Sequence, residues 1–486
     1  MRIAPASAAS YPARRGNALR PLIDGVPAFR AILAAVEAAT QSVWLTVAFL
    51  DEDLRFPDDH GAFFDVIERA ASRGLDVRVL FWSEPEIEEM LQGSSHFPAG
   101  PASFETLAAR APHVLARWDR LRGYCHHQKS WIVDAGTDAE VAFVGGINLD
   151  HDSIVSPGHP HGEANRGASV HDVYAELRGP SASDVHHNFV QRWNEASERD
   201  KPFGSFPSAA RADDLGFPRR LSPEAGTSLV QVARTVRSNV YRRGEAAPGA
   251  SPFDIAGGET GILQQYLAAI DAARRTIYLE NQILLCPFLV PRLDAALARG
   301  VQVVAIVPGR AMPEIARARR HPKAAPVFAM VDALGRHDNF LMAALGAARD
   351  DGSEAEIYVH AKVAVVDDEW ATIGSANTMI RSFCDDTEMN VTTWDRGVAA
   401  ALRRELAAEH LGAEAGQQDA ASGDDLADDA RAFGLMRERA LDNRQRRREG
   451  LPLVGSVYAI EPSEWAVPED AGAPPALSPD EEKPLR

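Results

Sequence analysis

Cysteine is scarce in this chain, and so is lysine. The three cysteines, Cys125, Cys286 and Cys384, are scattered and odd in number. They form neither a disulfide framework nor a cysteine-rich zinc site, and a reducing compartment fits them best. Of the 51 basic residues only five are lysine: Lys129, Lys201, Lys323, Lys362 and Lys483. Arginine carries the positive charge elsewhere, so the position of each lysine is informative. Long apolar runs are missing as well, since none reaches the ~18 residues that would span a bilayer. Met1 to Arg15 contains arginine but no apolar core segment, so no signal peptide is expected. Acidic charge is plentiful. The net charge of -18 keeps the surface soluble and repels polyanions at long range, which disfavours nucleic acid as the main partner.

Against those absences stands a large apolar content, 45% of 486 residues. At ~150 residues per domain it implies two to four units. The chain also echoes itself. Ile32 to Leu45 (ILAAVEAATQSVWL) matches Tyr266 to Leu279 (YLAAIDAARRTIYL), and each runs from a helical period into a β-branched, aromatic strand signal. Arg73 to Trp82 and Arg299 to Pro308 then repeat a turn that leads into a buried strand. Helix and strand alternate in both halves, which predicts an α/β fold with a largely parallel or mixed sheet. The expected divisions are a first domain over 16–200, a linker over 201–225, a second domain over 226–412 and a polar tail over 413–486. Within the tail, 430–448 reads as a helix ending in the basic run RQRRR, and 462–486 as disordered.

The chemistry is carried by a motif that occurs twice. The first copy has His127, Lys129 and Asp134, then Gly145, Gly146 and Asn148. The second has His360, Lys362 and Asp367, then Gly374, Ser375 and Asn377. Both read His-x-Lys-x4-Asp followed by Gly-[Gly/Ser]-x-Asn. The spacing from Asp to Gly is longer in the first copy, where 135–140 reads as a hairpin turn. Residues two apart in a strand share a face, so each His and its Lys should project together. An imidazole serves as nucleophile, base or acid. An ammonium is a compact charge suited to phosphate oxygens. Asn148 and Asn377 add amide donors, and Gly146 and Ser375 lie in turns that let backbone approach a ligand. Two of the five lysines fall at the two motif positions, in a chain that otherwise uses arginine.

These residues resemble the phospholipase D superfamily, over about residues 16–412. HHQK at His126 to Lys129, HDVYAELRGP at His171 to Pro180, IYLENQ at Ile277 to Gln282 and DTEMN at Asp386 to Asn390 resemble its phospholipase D branch more than its nuclease branch. The resemblance implies two fused α/β/α domains of pseudo-twofold symmetry with one active site at their interface. It implies a covalent phosphohistidine on His127, protonation of the leaving alcohol by His360, and no catalytic metal or other cofactor. By the same resemblance Asp172 and Glu388 each hydrogen-bond a motif histidine. Asp134 and Asp367 are expected to hold backbone, Glu280 and Asn281 to line the cleft, and His159 and His161 to sit in an exposed loop. No His/Cys/carboxylate cluster with metal-ligand spacing is expected. The implied substrate is a glycerophospholipid at a membrane surface, with water or an alcohol as acceptor. Hydrolysis to phosphatidic acid is the first expectation. A phosphatidyltransferase of the cardiolipin-synthase type is the alternative, and a nuclease comes after it. A cytoplasmic or peripheral-membrane location follows from the absent signal and spans, and export without a signal peptide is compatible with them.

Overall fold

The computed structural model describes residues 2–83, 97–160, 169–348, 353–412 and 425–467. The repeat seen in the sequence takes shape as two equivalent helix-to-strand units. In helix Gly25–Ala38 the buried positions Phe29, Ile32, Leu33 and Val36 fall on one face. In helix Gly261–Ala272, Ile262, Tyr266, Ala269 and Ile270 do the same. Each helix leads through a short turn into a buried strand, Ser42–Val47 in the first half and Thr276–Asn281 in the second.

Both turns are held by the aspartate that closes a motif. The Asp134 carboxylate accepts from the backbone N–H groups of Thr40 (2.9 Å), Gln41 (2.7 Å) and Ser42 (3.2 Å). Asp367 accepts from those of Arg274 (2.9 Å), Arg275 (2.8 Å) and Thr276 (2.9 Å). Buried amides at a helix end need such acceptors. Both aspartates lie in the left-handed region, at φ 54° and 53°, where Asp is tolerated better than most side chains.

The sheet repeats the same order in each half. In the first, Leu115–Asp119, Asp76–Trp82 and Ser42–Val47 are parallel neighbours, followed by antiparallel Ser130–Val133, Val141–Gly145 and Val173–Arg178. In the second, Phe340–Ala348, Gln302–Ile306 and Thr276–Asn281 are parallel, followed by antiparallel Lys362–Val366, Trp370–Gly374 and Glu388–Thr393. Strand Arg14–Ile23 closes the first series against Val173–Arg178, and Ser228–Val236 closes the second against Glu388–Thr393. These two closing strands pair with each other, Arg14 opposite Val230 and Asn17 opposite Ser228. The fold is therefore α/β around a large mixed sheet, and of its three large apolar clusters one lies in each half and the third joins residues of both, such as Phe189 and Trp193 with Val232, Val391 and Leu402.

The segment expected as a linker is packed. Ser205–Phe206 pairs with Leu115–Asp119, and buried Arg117 donates to the carbonyl of Ala210. The tail helix spans Asp429–Arg448. Its basic run is engaged: Arg444 bonds Glu461, Arg446 bonds the carbonyl of Pro452, and Arg447 bonds Glu354 and lies over the Tyr458 ring. Val457–Ala459 adds a strand to Phe340–Ala348. The start of the stretch expected as disordered, 462–467, is part of the fold, because Trp465 buries its ring near Phe328 and donates to the carbonyl of Pro308 at 3.1 Å. Residues 413–424 and 468–486, with the expectations placed on them, lie outside the described residues.

Trp465→Ala removes that anchor and leaves a cavity. It should cost ~3–5 kcal/mol, seen as a lower urea midpoint at an unchanged m-value. A midpoint equal to wild type would show that the tail does not pack on the second half.

Candidate active site

Each motif histidine lies just ahead of its own strand. Regular pairing begins at Ser130 in one half and at Lys362 in the other, so of the four motif residues the expected strand geometry holds for Lys362 alone. The histidine backbones are held by the opposite half instead. The N–H of His127 donates to the carbonyl of Thr387 at 2.9 Å, and the N–H of His360 donates to that of His171 at 2.8 Å. Short parallel pairings accompany both contacts, His126 with Thr387 and Val359 with His171.

The side chains cross in the same way. His127 Nδ1 lies 3.1 Å from both carboxylate oxygens of Glu388 and 3.0 Å from the carbonyl of Ser375. His360 Nδ1 lies 2.6 Å from Asp172 Oδ2. All these acceptors belong to the other half of the chain. An Nδ1–H that donates to a carboxylate leaves the lone pair on Nε2, the state of a nucleophile or base. Asp172 is itself fixed, as Oδ1 accepts from the N–H of Val173 at 2.8 Å. The Ser375 hydroxyl donates to Glu388. Gly146 presses on Asp172, because a Cβ there would lie 2.3 Å from Asp172 Oδ1, so a side chain at this position would displace the carboxylate.

Lys129 and Lys362 are buried and each donates to the carbonyl of the histidine two residues before it, His127 and His360 respectively. Lys129 also sits over the Phe49 ring, 5.6 Å from its centroid. Among the described residues Asn148 and Asn377 make no hydrogen bond to either histidine, and each leaves a buried Oδ1 without a partner.

Burial, then the two ammonium groups, hold both imidazoles well below their ordinary range. Burial pushes the carboxyls of Asp172 and Glu388 up to about 7, against the pull of the lysines. It brings Lys362 down to about 7, with Lys129 opposing its charge and Asp172 favouring it. Lys129 is lowered by the same desolvation. The site therefore resists net charge until a counter-ion arrives. A bound phosphodiester anion is such a counter-ion, and it would restore both ammonium charges.

Several neighbouring residues stand elsewhere than expected. Glu280 does not line a cleft: its carboxylate is fully buried and bonded to His171 (2.9 Å), His410 (2.7 Å) and the Tyr278 hydroxyl. The Asn281 side chain bridges backbone, to the carbonyl of Ala376 and from the N–H of Thr378. His126, beside the motif, is not one of these displaced residues: it faces Asp119 at 3.2 Å in the interior. His159 is buried, with its Nε2 3.5 Å from Glu409 of the helix Arg396–Leu411. His161 lies outside the described residues. No cluster with metal-ligand spacing is expected along the sequence, but the fold brings distant His and carboxylate groups together. Asp24, His159, His171 and Glu409 converge within 4.8 Å, although no local spacing in the sequence links them.

Comparison with known proteins follows the geometry. The family described as "Cardiolipin synthase, PLD-like domain" matches residues 266–409. A cardiolipin synthase 2 of Staphylococcus epidermidis is 23% identical over 70% of this chain and 57% of its own length, so the chain spans little more than half of that relative. Phospholipase D A of Dictyostelium discoideum is 26% identical over 56% of this chain and 22% of its own length. Among solved structures, phosphatidylserine synthase of Haemophilus influenzae superposes with a TM-score of 0.53 at 13% identity, over 80% of this chain and 85% of its own, which is a likeness of fold.

The pH dependence of anion binding follows from the directions above. Lys362 is cationic below about pH 7 and neutral above it, while Asp172 and Glu388 are neutral below about 7 and anionic above. All three changes make the site more negative as pH rises. Sulfate, whose own charge is constant in this window, should therefore bind about tenfold more weakly at pH 8 than at pH 6, if one proton is required. Isothermal titration of the wild type measures this. An affinity that is flat or that rises with pH would mean that the lysines remain charged in the free site.

Proposed function

We propose that this chain, which belongs to the phospholipase D superfamily, is a phosphatidyltransferase that moves a phosphatidyl group from a glycerophospholipid to an alcohol acceptor. The observation that carries this reading is the crossed pair of imidazoles, His127 with Glu388 and His360 with Asp172, beside two buried lysines. Two imidazoles of opposite role, each oriented by a carboxylate, suit a double displacement at phosphorus.

In the proposed cycle Nε2 of His127 attacks phosphorus, while His360 supplies the proton to the departing alcohol oxygen. The N–P bond forms as the O–P bond breaks. The acceptor hydroxyl then gives its proton back to His360 and displaces His127, which leaves as neutral imidazole. Lys129, Lys362, Asn148 and Asn377 would neutralise the equatorial oxygens, with the turns at Gly146 and Ser375 bringing backbone close. Asp172 and Glu388 hold the imidazole tautomers. No step in this cycle needs a metal.

Transfer is favoured over hydrolysis on two grounds. The relatives matched over most of this chain are named cardiolipin synthases. The site is also buried: both histidines are less than a tenth exposed and both lysines less still. A covalent intermediate shielded from bulk water lives longer, which leaves time for an alcohol to compete. Hydrolysis remains the second reading, supported by the likeness to a phospholipase D. No helix among the described residues is long and apolar enough to cross a membrane.

Product analysis with phosphatidylglycerol vesicles separates the two readings. A diphosphatidyl product plus free glycerol supports transfer. Phosphatidic acid as the sole product, even with excess lipid alcohol, would return the reading to hydrolysis. No turnover of any phospholipid would sink both.

The histidine roles are separable by trapping. His127→Ala should form no covalent adduct with any substrate. His360→Ala should form phosphohistidine from a nitrophenyl phosphodiester, whose leaving group needs no proton, and then stall. With natural lipid each variant should lose ~10⁴-fold or more in rate. Mass spectrometry of quenched protein identifies the modified peptide, and phosphate on His360 in the His127 variant would reverse the assignment.

A further inference from the structure

Behind the His360–Asp172 pair lies a buried group that the proposed reaction does not use. Asp24 precedes helix Gly25–Ala38, His159 sits in a loop, His171 ends a short strand, and Glu409 lies in helix Arg396–Leu411. All four are buried. His159 Nε2 is 3.4 Å from Asp24 Oδ2 and 3.5 Å from Glu409 Oε1. His171 Nδ1 is 2.9 Å from Asp24 Oδ1 and 3.7 Å from Glu409 Oε1. Donors around a four-coordinate zinc-like ion, each about 2.0–2.2 Å from the metal, stand about 3.3–3.6 Å from one another.

The two contacts of His159, at 3.4 and 3.5 Å, have the spacing of a ligand shell, while the 2.9 Å contact of His171 Nδ1 with Asp24 Oδ1 is that of an ion pair which a bound ion would have to open. Among the described residues Asp24 Oδ2, His159 Nε2, His171 Nδ1 and Glu409 Oε2 have no hydrogen-bond partner. Four unsatisfied atoms on buried side chains that face one another are costly to leave unpaired. Backbone is also strained toward this point. Asp24 has φ 62° and His159 φ 49°, in the left-handed region that few residues with a Cβ adopt. Asp24 stands where it would cap its helix, yet its side chain makes no cap hydrogen bond and turns to the cluster instead.

The outer contacts suit ligation as well. His171 Nε2 lies 2.9 Å from Glu280 Oε2, the carboxylate–histidine arrangement that leaves the other ring nitrogen free to bind a metal. His159 Nδ1 has Ser169 Oγ at 2.5 Å, which frees its Nε2 in the same way. Glu409 Oε1 is steadied by the N–H of Gly158 at 3.0 Å.

We propose that Asp24, His159, His171 and Glu409 bind one divalent transition-metal ion, zinc by the two-nitrogen, two-carboxylate donor set, as a structural clamp between the two halves. Three ligands come from the first half and one from the second. The carbonyl of His171 accepts from the N–H groups of His360 (2.8 Å) and Ala361 (3.1 Å), and the next residue is Asp172. The ion thus fixes the segment that positions His360, and it touches no reacting atom. The pseudo-equivalent place in the other half has Thr387, which uses its carbonyl in the same way but offers no imidazole. The inference stands apart from the reaction proposed above, since it rests on none of the substrate contacts.

The test is metal analysis of untagged full-length protein after dialysis against metal-free buffer. Elemental mass spectrometry should find close to one equivalent of a transition metal. Chelation should lower the melting temperature by several degrees, and added Zn²⁺ should restore it. Cobalt substitution should give the visible absorption of a tetrahedral site. Glu409→Gln, which keeps shape, and His159→Ala should both lose the bound ion, while His337→Ala, at a histidine that pairs with Asp294 near the surface, should keep it. Metal-free wild type that gains no thermal stability from zinc, cobalt, nickel or manganese overturns the proposal. So does full metal content in both cluster variants. If both variants fail to fold, the wild-type metal content and the zinc-dependent melting shift decide alone.

Discussion

The exchange of hydrogen bonds between the halves is the constraint on which the rest depends. Neither half orients its own imidazole. His127 relies on Glu388, Ser375 and Thr387, and His360 relies on Asp172 and His171. The two backbone bonds set where each histidine stands, and the two carboxylates set which ring nitrogen keeps its lone pair. A change in the angle between the halves would therefore alter both imidazoles at once. That is one physical reason for the extensive joining surface: the closing strands pair through Arg14 and Val230, and an apolar cluster takes side chains from both sides.

The electrostatics follow from the same packing. Two ammonium groups, two imidazoles and two carboxyls share a space from which water is largely excluded. Each group disfavours its charged form through desolvation, and each ammonium further disfavours protonation of the imidazoles. Such a cluster is poorly solvated when empty and well matched to a monoanion that brings oxygen acceptors. The overall charge of -18 does not attract that anion from afar. Recognition of a phosphodiester has to be local, within reach of Lys129 and Lys362.

Local features were legible in the sequence, and distant ones were not. The helix-to-strand units stood out because apolar spacing changes period at Gln41–Ser42 and again at Arg275–Thr276. The motif residues stood out because lysine is scarce. The crossing of the carboxylates had no local signal: Asp172 and His360 are 188 residues apart, and His127 and Glu388 are 261 apart. Trp465 was hidden by its neighbours, since a Pro-rich acidic stretch reads as disordered even when one indole anchors its start. His159 was misplaced for a similar reason: a Gly/Pro loop usually faces solvent, and nothing nearby announces Glu409 beneath it.

The two halves are alike in strand order but unequal in the support they give. Glu388 is steadied by a hydroxyl, that of Ser375, at the position where the first half has Gly146 against Asp172. Asp172 is reached through His171, and so through Glu280, Tyr278 and His410, a polar network that runs away from the cleft into the second half. The shorter Asp lies 2.6 Å from its imidazole, whereas the longer Glu shares His127 with a carbonyl at 3.0–3.1 Å. The 2.6 Å contact with Asp172 orients the His360 ring, although burial and the two lysines still hold that imidazole well below its ordinary range. A shared and weaker set of acceptors suits an imidazole that must give up its lone pair to phosphorus and later leave. His127 as nucleophile and His360 as acid are the roles proposed from resemblance, and the symmetry of the two motifs leaves that choice open.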